Sequence, residues 1–198
     1  MAGETTASVY FPPDAFSSDT NSHTSKVNWY TKHLVAMGEP SLLEYSKDDL
    51  RPTYRFLWLR TFHEPIAIRL TVQKDGSGTL HGIVLDGKGG YDPGVIKDST
   101  NVEVRAKDVS KFLQRLLDCD FWDRSNDGSK LGAWHRNPED NTWLRAYRGG
   151  YDGAQWIIEA VSSNRYNVFE RWSPESGAFR DACLELINMS GLKVDPIY

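Results

Sequence analysis

The chain has few cysteines and no apolar stretch long enough to cross a bilayer. Its two cysteines, Cys119 and Cys183, both stand in apolar segments of helical character. Small thiols in such segments usually belong to the core, so we predict neither a disulfide framework nor a catalytic thiol. The N-terminus shows no basic segment followed by an apolar one, so we expect no secretory signal, no membrane association and a cytoplasmic location.

Positive charge is scarce as well. Lysine and arginine together number 23 against 27 aspartates and glutamates, which gives a formal net charge of −4. Proteins that hold nucleic acid through a basic surface have the opposite balance, so the composition argues against a nucleic-acid partner and permits a basic protein partner. The content of 39% hydrophobic residues is typical of one globular domain with a real core.

The sequence also lacks the motifs of common catalytic sites. Its five histidines have no HExxH spacing, and neither a GxSxG elbow nor a Walker loop occurs. The segment that begins at Asp123 resembles the first half of a calcium loop, but its twelfth position is Trp134, which cannot supply a carboxylate. We therefore predict no metal, no cofactor and no catalytic residue, although an acid–base pair of Asp and Glu has no fixed spacing and stays open.

What the sequence does contain is a strong hairpin pattern near its C-terminus. Residues 155–161 and 165–172 are rich in β-branched and aromatic side chains and flank a polar turn, as in an antiparallel hairpin. Two registers fit the turn: Trp156 lies opposite Arg171 in one, and Gln155 lies opposite Arg171 in the other. We also expect Trp172, at the corner before the last helix, to fill the space between the sheet and that helix.

The remaining periodicities complete the fold prediction. Strands are expected at 54–60, 66–72, 79–85 and 102–105, and helices at 26–37, 108–118 and about 176–189. This order predicts a single α+β domain: one twisted antiparallel sheet of hairpins, with two or three helices packed on one face and an open, aromatic-rich second face. Residues 1–24 hold few aliphatic side chains, so they are predicted to form a flexible N-terminal arm before the domain at 25–198.

Two glycine-rich segments are the first candidates for a binding site. The tetrapeptide GGYD occurs at 89–92 and again at 149–152. Glycine lets a ligand or a partner approach the backbone closely, so the neighbouring side chains become candidate contacts. These candidates are Tyr91, Asp92, Tyr151 and Asp152. The structural alternative is a pair of tight turns that need positive φ angles.

Arginine and histidine side chains supply the other candidates. They are Arg55, His63 and Arg171, because an arginine guanidinium forks onto carboxylates and phosphates and stacks on aromatic rings. Nearby carboxylates such as Glu159 and Glu170 equally allow ordinary structural ion pairs, and that interpretation stays open.

From about Tyr54 onward the chain carries several distinctive segments: YRFLWLRTFHEPIAIRL, LDGKGGYDPG, DGAQWIIEA and YNVFERWSP. As a set they resemble an uncharacterised bacterial protein family of unknown function. The family carries no assigned activity, so the resemblance implies a fold and transfers no catalytic residue.

These observations support two hypotheses of function. The first is a non-catalytic protein-binding domain, for instance a bacterial immunity or accessory protein, because the chain is rich in Trp, Tyr and Arg, which anchor interfaces. The alternative is a small hydrolase that uses Asp, Glu or His residues near the glycine-rich loops. A concave pocket in which His63 or Asp86 meets Asp152 would favour the enzyme, and a flat aromatic patch would favour binding.

Overall fold

A computed structural model of the protein describes residues 8–13, 15–16, 20–45, 51–126, 131–136, 143–147, 152–162 and 165–198. Helices and strands in these ranges follow the order α1 (Thr20–Ala36), α2 (Leu42–Tyr45), β1 (Thr53–Arg60), β2 (Ile66–Val72), β3 (Gly78–Leu85), β4 (Ile96–Val104), α3 (Ala106–Asp118), β5 (Leu131–Arg136), β6 (Trp143–Tyr147), β7 (Ala154–Ser162), β8 (Arg165–Trp172) and α4 (Ala178–Ser190). None of the helices in the described ranges is long and apolar enough to cross a membrane.

Six strands form one antiparallel sheet in the order β4-β3-β2-β1-β7-β8, and β5 pairs with β6 in a separate ribbon. The predicted α+β class with its antiparallel sheet is confirmed. β1 lies inside the sheet, where it pairs with β2 on one side and β7 on the other. In the C-terminal hairpin, Trp156 lies opposite Arg171 and Ile158 opposite Phe169, so the first of the two predicted registers is confirmed.

One face of the sheet, which we call the apolar face, packs against α3 and α4. Alternation along β1 places Phe56 and Trp58 on this face, beside Trp156 of β7, and all three side chains are fully buried. The ring centroids of Tyr54 in β1 and Phe112 in α3 lie 5.4 Å apart. Both helices lie on one face, as predicted, because each carries an apolar stripe at helical spacing.

The opposite face, which we call the ionic face, is covered by α1 and by the N-terminal segment at 8–16. Leu57 and Ile157 of the sheet belong to one buried cluster with Tyr30 and Leu34 of α1. The expectation of an open, aromatic-rich face is wrong, because α1 closes this face and the main row of aromatic side chains lies under α3 and α4.

The N-terminal segment contributes three rings to this second layer. Tyr10, Phe11 and Phe16 are buried, and the ring centroids of Phe16 and Tyr30 lie 5.0 Å apart. The Tyr10 hydroxyl donates a hydrogen bond of 2.8 Å to the backbone oxygen of Glu39. The division of the chain at residue 24 stays a prediction. Composition favoured a free arm because aliphatic residues are few there, but aromatic side chains bury large areas too.

Candidate functional site

Two loops meet at the end of the sheet where β1 turns into β2 and β3 turns into β4. The backbone N–H of Gly89 donates to the backbone oxygen of His63 at 3.0 Å, and that of Gly90 donates to Thr61 at 3.2 Å. The N–H of Leu85 donates to the backbone oxygen of Pro65 at 3.0 Å. We call this region, residues 61–65 and 86–95, the loop end of the sheet.

Glycines are required in the longer loop for packing and for one turn. A Cβ on Gly89 would lie 2.5 Å from the backbone nitrogen of Arg60, so only glycine fits against β1. Gly94 has a φ of +71°, which other residues rarely adopt. Inside the loop, Asp86 Oδ1 accepts from the N–H of Val95 at 2.8 Å, and Asp92 Oδ1 accepts from that of Gly94 at 3.0 Å. The first GGYD segment therefore belongs to an ordered turn. The carboxylates of Asp86 and Asp92 stabilise this turn by accepting hydrogen bonds from the loop backbone.

An aromatic pair projects from the loop end. Phe62 and Tyr91 are 47% and 57% exposed, and their rings stack with centroids 6.2 Å apart and planes 28° apart. The longer loop continues into Val95 and Ile96, which are also exposed. We call these four residues the aromatic patch. Scattered surface apolar residues are ordinary, whereas here an exposed stacked pair is followed in the same loop by two exposed aliphatic residues.

The backbone of the longer loop is fixed by hydrogen bonds from side chains of α1. Trp29 Nε1 donates a hydrogen bond of 2.7 Å to the backbone oxygen of Gly89. Lys32 Nζ donates to the backbone oxygen of Tyr91. Of the predicted site residues, Tyr91 and Asp92 therefore lie in this loop, with the ring of Tyr91 directed outward.

Arg55 does not reach the loop end. It is buried under the N-terminal layer, where its Nη1 donates to Glu39 Oε2 at 3.3 Å and to the backbone oxygen of Pro40 at 2.6 Å, and its Nη2 pairs with Glu159. Burial by itself lowers the pKa of Arg55, but the carboxylates of Glu159 and Glu39 outweigh it and the pKa is raised. Arg55 is thus a permanently charged structural residue, as the alternative interpretation had it.

Arg171 lies near the end of β8, opposite Trp156 of β7. Its guanidinium stands 4.2 Å from the centroid of the Phe169 ring on the apolar face. A second arginine, Arg180 of α4, lies over the Trp156 ring at 5.7 Å. The Arg171 contact lies within β8, and the Arg180 contact joins α4 to the C-terminal hairpin.

His63 is at the loop end, where it contacts the C-terminal segment. A hydrogen bond of 2.7 Å joins His63 Nδ1 to the Tyr198 hydroxyl. Burial raises the pKa of Tyr198 despite the nearby Arg60, and the negative charge of Asp152 adds to the increase. The Tyr198 hydroxyl therefore stays protonated near neutral pH and offers no general base. Of the two remaining candidates, Asp152 is exposed, and Tyr151 lies outside the described residues.

A cavity of about 540 Å³ opens beside the loop end, under the C-terminal segment. Its lining consists of Arg60, Glu64, Ile66, Val84, Lys97, Asp98, Lys193, Val194 and Asp195. Sequence reasoning missed this site because its residues come from three separate parts of the chain and have no spacing in common. Arg60 and Glu64 are four residues apart, and that spacing alone is typical of an ordinary ion pair.

The cavity of about 540 Å³ does not bring together the residues that the hydrolase hypothesis named. Within the described part of the chain, His63, Asp86 and Asp152 are not lining residues of this cavity, and the carboxylate of Asp86 is engaged in its own loop. In the same described ranges, no three His, Cys, Asp or Glu side chains converge to hold a metal ion.

Comparison with models of protein families and with curated proteins finds no match to this chain. The resemblance noted in the sequence therefore stays a prediction, and the function has to be argued from the site itself.

Proposed function

We propose that this protein is a non-catalytic protein-binding domain and that the aromatic patch is its contact surface. The observation that carries the proposal is the stacked pair of Phe62 and Tyr91, each about half exposed on loops that are hydrogen-bonded to one another. Aromatic side chains of this kind dominate the binding energy of many interfaces because they bury large areas with few rotatable bonds.

The fixed backbone of the patch supports the same function. Binding costs free energy when loops and side chains must be ordered on contact. Here the longer loop is already tied to α1 through Trp29 and Lys32 and to the shorter loop through Gly89 and Gly90. The backbone of the patch is therefore already ordered in the free protein, so binding a partner costs less conformational entropy.

The partner we propose is a basic protein that presents an apolar side chain to the two rings. The net charge of −4 favours association with a surface of positive charge. Asp92 is exposed beside Tyr91 and supplies a nearby negative charge at the rim. The finer assignments, a bacterial immunity or accessory protein with a cytoplasmic location, are proposals that rest on the composition and on the resemblance of the sequence.

The experiment compares capture by the native chain with capture by two matched variants in an extract of the source cells. One variant, Phe62→Ser with Tyr91→Ser, removes the stacked pair. The other, Val35→Ser with Leu117→Ser, removes two apolar side chains that are similarly exposed on α1 and α3. Both variants need the urea midpoint of the native chain before they are compared.

We expect a stoichiometric basic protein to be retained by the native chain and by the Val35 and Leu117 variant, and lost by the Phe62 and Tyr91 variant. Its affinity for the purified native chain would fall as salt is raised, because the charges at the rim are screened. Equal retention by both variants would contradict the proposal. Capture of no protein by the native chain would contradict it as well.

A further inference from the structure

We propose that the cavity beside the loop end is a binding site for a small zwitterion of the α-amino acid class. This site is separate from the aromatic patch and belongs to no function assigned above. Its walls come from the residues after β1, from β2, β3 and the start of β4, and from the C-terminal segment at 193–195.

The first observation is a buried donor in the wall that has no acceptor. The Arg60 side chain is 3% exposed. Its Nη1 donates to the backbone oxygen of Pro196 at 3.1 Å and its Nη2 to that of Glu64 at 3.2 Å. Its Nε, in contrast, has no hydrogen-bond partner among the described residues. Buried donors are rarely left unpaired, and Arg60 is a lining residue of the cavity, so we assign Nε as the group that a ligand acceptor would satisfy.

Arg60 is also held in place for such a contact. Its guanidinium lies over the Trp58 ring, 4.8 Å from the centroid, and a charged group of the same side chain stands 3.6 Å from Glu64 Oε2. Burial lowers the pKa of Arg60, against the opposing effect of Glu64. A ligand carboxylate would offset the cost of keeping this charge away from water.

The second observation is the balance of charge in the lining. Arg60, Lys97 and Lys193 are cationic, and they are matched by the carboxylates of Glu64, Asp98 and Asp195. A simple anion would meet repulsion from the three carboxylates, and a simple cation would meet it from the three basic groups. A ligand that carries both signs satisfies both sets of groups.

The ion pairs within the cavity indicate which charged side chains are available to bind the ligand. Glu64 is already engaged by Lys97 Nζ at 3.0 Å and by Arg60. In our assignment the ligand carboxylate accepts from Arg60 Nε and from the ammonium of Lys193. The ligand ammonium donates to Asp98 or Asp195, both of which are exposed at the rim.

The size and the apolar wall select the class of ligand. Pockets for small molecules have volumes of roughly 300–1,000 Å³, and this cavity has about 540 Å³. Ile66, Val84 and Val194 supply an apolar wall for a side chain. An amino acid with an aliphatic side chain therefore matches the charge, the size and the polarity of the lining.

The test is isothermal titration of the full chain with a panel of neutral L-amino acids, with L-leucine as the first probe. Two probes of the same shape isolate each charge: isoamylamine lacks the carboxylate, and N-acetyl-leucine lacks the ammonium. We expect at least one member of the panel to bind, and the leucine analogue of each missing charge to bind about tenfold more weakly than its zwitterion. No binding by any member at millimolar concentration would overturn the proposal, as would equal binding of N-acetyl-leucine.

Variants then locate the site. Arg60→Lys keeps a positive charge but removes Nε, and we expect it to abolish measurable binding. Because Arg60 also supports the C-terminal segment and its loss can disturb folding, Lys193→Ala and Asp98→Asn serve as exposed variants that spare the core. Each is expected to weaken binding by about fivefold or more, while Lys107→Ala on α3 leaves it unchanged. Native affinity in both exposed variants would place the ligand elsewhere and overturn the assignment.

Discussion

The two faces of the central sheet are both buried, yet they are held by different forces. On the apolar face, Phe56, Trp58 and Trp156 pack ring against ring, with centroids 4.9 Å apart for the two tryptophans. On the ionic face, Arg55 lies between Glu39 and Glu159. The change occurs within one strand, since Arg55 directly precedes Phe56 in β1 and alternation sends the two side chains to opposite faces.

The difference concerns specificity as well as stability. Apolar packing tolerates small shifts of a helix, whereas displacing α1 would leave buried charges without partners. Lys26 of α1 pairs with Glu170 of β8, and the Tyr30 hydroxyl donates to the same carboxylate. Buried pairs add little net stability, but breaking one is costly. We infer that the ionic face fixes where α1 docks, while the apolar face supplies most of the stability.

The largest effect is expected from breaking the apolar face. Trp156→Ala removes a fully buried ring, together with the hydrogen bond of 3.1 Å from its Nε1 to the backbone oxygen of Tyr198. The cavity left behind should lower the free energy of unfolding by about 4–5 kcal/mol. Urea unfolding measures it, with Leu117→Ala on the surface of α3 as a control that changes stability by less than about 0.5 kcal/mol. A loss below about 2 kcal/mol would show that this face is not the main source of stability.

Breaking the ionic face is expected to cost slightly less. Arg55→Met keeps much of the side-chain volume but leaves Glu39 and Glu159 buried without their partner, and the free energy of unfolding should fall by about 3–4 kcal/mol. Arg105→Met is the matched control, because Arg105 pairs with Asp108 at 2.9 Å on an exposed surface and should cost less than about 1 kcal/mol. If both substitutions lowered the free energy of unfolding equally, burial would not determine how much an ion pair contributes to stability.

Deleting the N-terminal segment tests how much its packing on the ionic face contributes to stability. Deleting residues 1–16 exposes the surface that Tyr10, Phe11 and Phe16 bury and should lower the free energy of unfolding by about 2–3 kcal/mol, net of the ordering entropy that is recovered. The composition predicted that residues 1–24 form a free arm, whose deletion would leave the melting temperature almost unchanged. An unchanged melting temperature would support the free arm and count against the docked segment.

Some of the fold was readable from the sequence because its patterns were local. The bounds of β2 were predicted as observed, and those of β1 and β3 to within one residue, since apolar β-branched runs end at turns there. β4 was predicted only from residue 102, although it begins at Ile96. β4 is an edge strand, and edge strands carry polar and charged side chains toward solvent. Residues 97–100, with the sequence KDST, therefore have the composition of a loop.

The failures came from contacts between distant parts of the chain. Trp172 was expected to pack between the sheet and α4, but it is only partly buried and lies opposite Gln155. Gln155 alternates with Trp156 and therefore shares the ionic face with Ile157. Phe62 of the loop end and Lys193 of the C-terminal segment were not predicted as site residues. Nothing in their local sequence distinguishes them, because the patch and the cavity form only when β1, β4 and the C-terminal segment meet at one end of the sheet.

A smaller effect is expected from pH and concerns α1 alone. His33 is fully buried, its Nδ1 donates to the backbone oxygen of Trp29 at 2.8 Å, and burial lowers its pKa. The unfolded chain takes up a proton near the ordinary histidine pKa, whereas the folded chain resists it, so stability falls as the pH drops below about 6.5. His33→Asn keeps a donor and removes the titration, so its urea midpoint should depend less on pH between 7 and 5. If the urea midpoints of the native chain and of the His33→Asn variant depended equally on pH, His33 would not be the group responsible.

The central claim is that buried ion pairs fix the position of α1 on the ionic face. A double-mutant cycle of Lys26→Met and Glu170→Gln tests it most directly, since this pair joins α1 to β8 across the layer. Urea unfolding of the native chain, both single variants and the double variant gives the coupling free energy. We predict a coupling of about 2 kcal/mol or more, against less than about 0.5 kcal/mol for the exposed pair of Arg105 and Asp108. A coupling as small as that of the exposed pair would contradict the account.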